Sequence, residues 1–246
     1  MTTAAAALLG SGQPFPEERN HQIAEEFFRE GCALVPGVLS PDEVAALRER
    51  TDDYFARRDA LPPRHVSFVH GAFVLRRGAE LDPLFRALVT REPIRSLAAA
   101  VLGEEPRFNA LNVIRNEPGQ AISRWHVDDV VEFPLPPEIP RFDARIRMPV
   151  LWFTVQVALS EITAIEHGPT QYVPGSHYSG RAPDPQGDPA FEGRGPEAVF
   201  CRAGDIYLTN HQAWHRGAPN TSDRVRYVLQ LQYARRWADT RFRGAG

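Results

Sequence analysis

A chain of 246 residues with 43% hydrophobic content and a formal net charge of −3 is long enough for a full core, and its length fits a single domain over 1–246. It contains 28 Arg and no Lys, which excludes Schiff-base and pyridoxal-phosphate catalysis and the phosphate-loop lysine. Interspersed charges leave no basic face for nucleic acid, and the isolated Cys32 and Cys201 form neither a disulfide framework nor a thiolate zinc site, so the expectation is a cytoplasmic protein with a small-molecule partner.

Along the chain, "MTTAAAALLGSG" lacks a basic leader and its apolar run is too short for export or spanning, so residues 1–16 are expected to be a frayed terminus, with no membrane association. Residues 17–103 read as a helix-rich support. In "SPDEVAALRERTDDYFARR", Ser40 is the N-cap, Pro41 the first helical residue and Glu43 the partner that completes a capping box. "HVSFVHGAFVLRRG" predicts a strand pair or a bent strand, and "DPLFRALVTREPIRSLAAAVLG" two helices split at Pro93 and closed by Gly103.

From residue 104 to 236 short apolar runs punctuated by Gly, Pro and Asn predict a sheet sandwich or barrel. Successive strand side chains point to opposite faces, so Leu151, Phe153, Val155, Val157 and Leu159 make one apolar face with Trp152, Thr154 and Gln156 opposite. Val225, Tyr227, Leu229, Leu231 and Tyr233 likewise oppose Arg226, Val228, Gln230 and Gln232. The apolar faces are expected against the helices and the polar faces in a lumen. The Pro- and Gly-rich segments 132–143 and 181–196 read as ordered loops or lids.

In "RWHVDD", His126 and Asp128 lie two apart and share a face if the segment is a strand, offering an imidazole nitrogen and a carboxylate oxygen to one ion. His215, after the strand-like "AGDIYLTN", is a candidate third ligand, and two His with one carboxylate and open positions suit non-haem Fe(II). Zinc accepts the same set, so a zinc hydrolase, or a non-catalytic barrel binding a metal or small ligand, stays open on these residues alone. His177 and His211 are left out of the metal set. Asp129 points to the other face if the strand continues, and Trp125, Phe73, His70 and Phe133 are candidates for shaping a pocket.

The pieces "WHVDD", "HGPTQYVPGSH" and "AGDIYLTNHQAWHRGAPNTSDRVRYVLQLQY", in that order over residues 105–235, resemble the phytanoyl-CoA dioxygenase family of Fe(II)- and 2-oxoglutarate-dependent oxygenases. The resemblance implies a double-stranded β-helix, a cupin-like jelly roll mainly of β structure over 104–236, with helices packed on its major sheet. It implies His126, Asp128 and His215 as iron ligands and Arg226, eleven residues after the last of them, as the grip on the distal carboxylate of 2-oxoglutarate. Arg224 is the competitor. Gln156, Thr170 and Asn112 are further candidates for contacts with 2-oxoglutarate, and "VPGSH" is expected to be a lid-shaping turn in which Gly175 supplies permissive dihedrals. The implied reaction uses dioxygen to oxidise an unactivated C–H of a small molecule, by hydroxylation or oxidative cyclisation, in a monomer or homodimer. Asp128 excludes the halogenase branch, where a small residue vacates that position for chloride. The chain's size and lack of a basic patch favour a bacterial natural-product tailoring enzyme, for instance of the orthosomycin oxygenase type, over one acting on a large acyl-CoA.

Overall fold

Ser40 caps the longest helix by both halves of the expected capping box: its backbone N–H donates to the Glu43 carboxylate at 2.7 Å and its Oγ accepts from Glu43 N–H at 3.3 Å. In this computed structural model, which describes residues 9–69, 71–120 and 124–238, that helix is α2 (Pro41–Ala56). It follows α1 (Glu17–Glu30) and β1 (Cys32–Val35). The expected strand pair is the hairpin of β2 (Val66–Val69) and β3 (Ala72–Leu75). Next come α3 (Gly78–Leu81), α4 (Pro83–Leu88) and α5 (Ile94–Leu102), the last closed by left-handed Gly103. The remaining strands are β4 (Arg107–Asn116), β5 (Trp152–Ala158), β6 (Thr170–Tyr172), β7 (Glu197–Ala198), β8 (Ile206–Asn210), β9 (His215–Gly217) and β10 (Arg226–Ala234).

These strands form the two sheets of a double-stranded β-helix. The seven-stranded major sheet runs β1-β8-β5-β10-β4-β3-β2 and the three-stranded minor sheet β7-β6-β9. The strand alternation decides what each face meets. Phe153, Val155, Val157, Leu229, Leu231 and Tyr233 are buried in one cluster with Phe27 of α1, Leu47 of α2 and Leu97 of α5, and Phe27 meets Phe153 edge-on at 5.4 Å. Each such side chain contributes roughly 1.5–3 kcal/mol by leaving water. On the opposite face Val228 joins Ala158, Tyr207, Ile162 and both cysteines in a smaller apolar cluster. The cysteines are free and buried, and burial raises both thiols, Cys201 to about 12, so neither is a ready nucleophile.

The expectation of a frayed terminus over 1–16 needs correction where it can be compared, residues 1–8 lying outside the described residues. Residues 9–16 are not frayed: Leu9 is fully buried and Glu92 N–H donates to the Ser11 carbonyl at 2.9 Å. "VPGSH" turns at left-handed Gly175 (φ 75°), whose N–H donates to the Glu30 carbonyl at the end of α1 at 2.9 Å. There the His177 ring is buried with its Nε2 2.9 Å from the Phe28 carbonyl. Gly31, which ends α1 in the left-handed region, passes so close that a Cβ would sit 2.9 Å from the His177 Nδ1.

The two Pro- and Gly-rich loops are ordered against each other. Arg181 donates to the carbonyls of Pro136, Ile139 and Pro140 at 2.9, 2.6 and 2.9 Å, while its own carbonyl accepts the Trp214 indole N–H at 2.7 Å. Proline-rich backbone has carbonyls to spare because it lacks donors, and one guanidinium fork collects them. No helix among the described residues is long and apolar enough to cross a membrane.

Candidate metal centre and its cavity

His126 and His215 face each other as an antiparallel bridge, each backbone N–H donating to the other's carbonyl at 3.1 and 3.0 Å. The bridge is short: the chain leaves strand geometry at once, and Asp129 adopts a left-handed φ of 62°. The strand therefore does not continue through Asp129, and the condition for placing it on the other face is not met. Asp128 is nonetheless turned towards the two rings, with its Oδ1 3.5 Å from His126 Nε2 and 3.6 Å from His215 Nε2. One ligand atom from each of the three lies within 4.8 Å of the others, which is the geometry for holding one ion.

The backbone sets the tautomers. His126 Nδ1 lies 2.7 Å from the Arg124 carbonyl and His215 Nδ1 2.8 Å from the Ala213 carbonyl. A carbonyl only accepts, so each Nδ1 carries a proton and each Nε2 presents a lone pair to the centre. Burial alone would raise the Asp128 carboxyl, but the nearby rings of His215 and His126 outweigh it and hold the group well below the usual carboxylate range. Burial lowers His215, and the Asp128 charge more than compensates, leaving it raised. An anion between two imidazoles is what a divalent cation completes.

The triad opens into a cavity of about 210 Å³ that Asn112, Gln156, Thr170 and Arg226 also line. Strand register explains this convergence: Gln230 of β10 pairs with Asn112 of β4 on one side and with Gln156 of β5 on the other, making a row of carboxamides across three strands. Thr170 comes from the minor sheet, and its Oγ1 is 2.9 Å from the Tyr207 hydroxyl.

Arg226 is buried, and among the described residues its Nε and Nη1 have no hydrogen-bond partner. Burial lowers its pKa, partly offset by Tyr207. Burial likewise raises the Tyr207 hydroxyl, to about 12, against the pull of Arg226. Asp128 is the sole acid lining the cavity among the described residues, and it faces the histidines. A buried guanidinium without a counter-ion is unfavourable unless a ligand supplies one, and a carboxylate matches its fork. Arg224, by contrast, lies outside the cavity with its guanidinium against the His167 ring.

Tyr207 was not singled out from the sequence, although alternation with Ile206 and Leu208 in "AGDIYLTN" places it on the lumen face. Three of the four residues suggested as pocket walls go elsewhere. Phe73 is in the helix-side core, Trp125 packs with Val173 and Tyr178, Phe133 lines a separate small cavity, and His70 lies outside the described residues. His211 stacks on Trp152 with ring centroids 4.6 Å apart.

A seven-stranded and a three-stranded sheet enclose a cavity with a two-His, one-carboxylate cluster, the arrangement that non-haem iron oxygenases of the double-stranded β-helix fold use. The phytanoyl-CoA dioxygenase family model matches residues 27–228, and the chain belongs to that family of Fe(II)- and 2-oxoglutarate-dependent enzymes. Solved structures share the fold. SnoN, a non-haem α-ketoglutarate-dependent epimerase from nogalamycin biosynthesis, superposes with a TM-score of 0.68 at 23% identity over 89% of this chain and 84% of its own. The carbocyclase SnoK of the same biosynthesis gives 0.66 at 22% identity over 91% and 87%. HygX from Streptomyces hygroscopicus, solved with nickel and 2-oxoglutarate, gives 0.67 at 18% identity over 92% and 89%.

Proposed function

We propose that His126, Asp128 and His215 hold one Fe(II), that Arg226 with Tyr207 and Thr170 holds the distal carboxylate of 2-oxoglutarate, and that the enzyme oxidises an unactivated C–H of a small molecule by hydroxylation or oxidative cyclisation. The observation that carries this reading is the buried, uncompensated Arg226 guanidinium in the same cavity as the triad. A zinc hydrolase or a plain binding barrel has no use for it. Iron with 2-oxoglutarate supplies dioxygen activation, with decarboxylation to succinate balancing oxidation of the substrate.

The chain's own residues do the rest. The carbonyls of Arg124 and Ala213 keep both Nε2 lone pairs on the metal side. Val228 lines the cavity and belongs to the apolar cluster with Tyr207, so this part of the wall is non-polar. Arg76, Asn112, Gln230 and Gln232 line the same cavity with Val69 and Val74, a wall that suits an oxygen-rich molecule with some apolar surface. That SnoN and SnoK belong to nogalamycin biosynthesis, and that HygX has been solved with hygromycin B bound, supports a place in secondary metabolism.

The test is succinate release from 2-oxoglutarate, with and without Fe(II), across a panel of natural-product candidates. Iron-dependent release that one candidate stimulates is expected. Hydrolytic turnover with native zinc and no consumption of 2-oxoglutarate would overturn the reading. Anaerobic addition of 2-oxoglutarate to the Fe(II) protein should also give a weak visible charge-transfer band, and its absence with iron bound would point to a metal-binding barrel.

A further inference from the structure

The backbone of Asp128 belongs to no strand, and the residue after it is in the left-handed region, so something else must fix where its carboxylate points. The contacts that do so converge on one turn. Asp128 N–H donates to the His211 carbonyl at 2.8 Å. The Gln212 side chain accepts from Glu132 N–H at 2.9 Å and donates to the Val130 carbonyl at 3.0 Å. His211 Nε2 lies 3.0 Å from the Glu132 carboxylate, with the two side chains 1% and 2% exposed. The stack on Trp152 sets the plane of that ring, and the approach to Glu132 is a close electrostatic contact, bent away from hydrogen-bond geometry. The turn itself is held by Asn210, whose Oδ1 accepts from Gln212 N–H at 2.9 Å and whose carbonyl accepts from Ala213 N–H at 3.0 Å.

Resting on the metal site proposed above, we infer that Glu132 and His211 are positioning residues: a buried carboxylate–imidazole clasp, strapped by Gln212, that locks the segment after Asp128 to the turn leading into His215 and so presets the distance between two ligands. Neither side chain is a ligand, since the cluster of ligand atoms comprises His126, Asp128 and His215. A carboxylate and an imidazole so far from solvent are unfavourable unless held against each other, and an off-strand backbone with a strained residue persists only where its surroundings over-determine it. Both conditions are met in the same few residues. Groups that orient ligands in this way typically affect metal affinity by about 10–100-fold.

Anaerobic Co(II) titration of the full chain, with the d–d spectrum and the apo melting temperature recorded in parallel, tests this. Glu132→Ala and His211→Phe should each weaken Co(II) binding by about 10–100-fold. The stoichiometry should remain one Co(II) per chain and the band shape should change. Glu132→Gln, which keeps the shape and loses the charge, should lose less. Affinity within about twofold of the parent, whatever happens to the melting temperature, would make the pair merely structural and overturn the inference. Complete loss of Co(II) binding in a folded variant would make one of them a ligand, and also overturns it. If neither buried variant folds, Gln212→Ala, which cuts the strap and leaves the pair, must show the loss of affinity. A parent protein that bound no Co(II) would instead remove the metal site itself, an outcome distinct from an unaltered variant.

Discussion

At the scale of single residues the sharpest contrast is between the two arginines that sequence spacing alone leaves close. If Arg226 grips 2-oxoglutarate as proposed, Arg226→Ala should weaken its binding by roughly thirtyfold to several-thousandfold while leaving Fe(II) affinity unchanged, because it would delete one half of a buried charge-assisted pair. Arg226→Lys should recover part of the loss, keeping charge without the planar fork. Arg224→Ala, at the exposed position against His167, should cost less than about fivefold. Calorimetric titration of the three variants with 2-oxoglutarate checks all of this, and a silent Arg226→Ala would break the assignment. His177 makes a different prediction. Burial is the main influence on it and depresses its pKa to about 4, while the Phe28 carbonyl and Glu30 pull it partly back up and His211 adds to the depression. The unfolded chain takes up this proton near the ordinary value of about 6.5 and the folded protein only near 4. Its contribution is therefore complete above about pH 6.5 and drains away as the pH falls towards 4. Urea midpoints at pH 7 and pH 5 should show the decline, and His177→Gln should flatten it.

At the scale of elements, the strands that strict alternation made legible are those that shape the lumen. Thr154, Gln156, Arg226, Gln230 and Gln232 all line the cavity, and their apolar neighbours all belong to or pack against the core cluster that the helices share. The Ser40 capping pattern and the break at Pro93 were readable for a similar reason: each is a local rule acting within a few residues. What could not be read is what distant chain decides. The bridge between His126 and His215 ends after one pair because Asp128 is taken by His211, and nothing within "RWHVDD" says so. The packing of residues 9–16 against Glu92 and the burial of Phe73 on the helix side depend in the same way on partners far along the chain. The two proline-rich loops were recognisable as loops, but the role of Arg181 in joining them was not. Arg181→Ala should accelerate hydrogen exchange in residues 132–143 with little change in melting temperature, since the lost bonds lie outside the core. Unchanged exchange there would show that other contacts order the loops.

At the scale of the whole molecule, one buried ion pair ties the helical third together. Arg91 meets Glu43 at 2.9 Å, and its guanidinium also donates to the carbonyls of Gly10 and Val38 at 3.1 and 3.2 Å. The N-terminal segment, the start of α2 and the approach to α5 thus share a single side chain. Removing one partner of such a pair strands the other, so Arg91→Ala should cost about 3–5 kcal/mol in equilibrium urea unfolding, a large part of the stability of an ordinary domain. A loss below about 1 kcal/mol would mean that solvent reaches the site and relieves Glu43.

The pairing of His126 directly with His215 has a topological meaning. Residues 127 to 214, which include four strands and both long loops, close into a ring at that bridge. An ion held there acts on the chain as a removable cross-link, tying the ends of a long loop as a disulfide does in proteins that have one. Occupancy of the centre and resistance to unfolding then rise and fall together: at a free metal concentration a hundred times the dissociation constant the gain is about 2.7 kcal/mol, and a chelator takes it away. In a chain whose two cysteines form no disulfide, the reagent that makes the chemistry possible would also serve as its fastener.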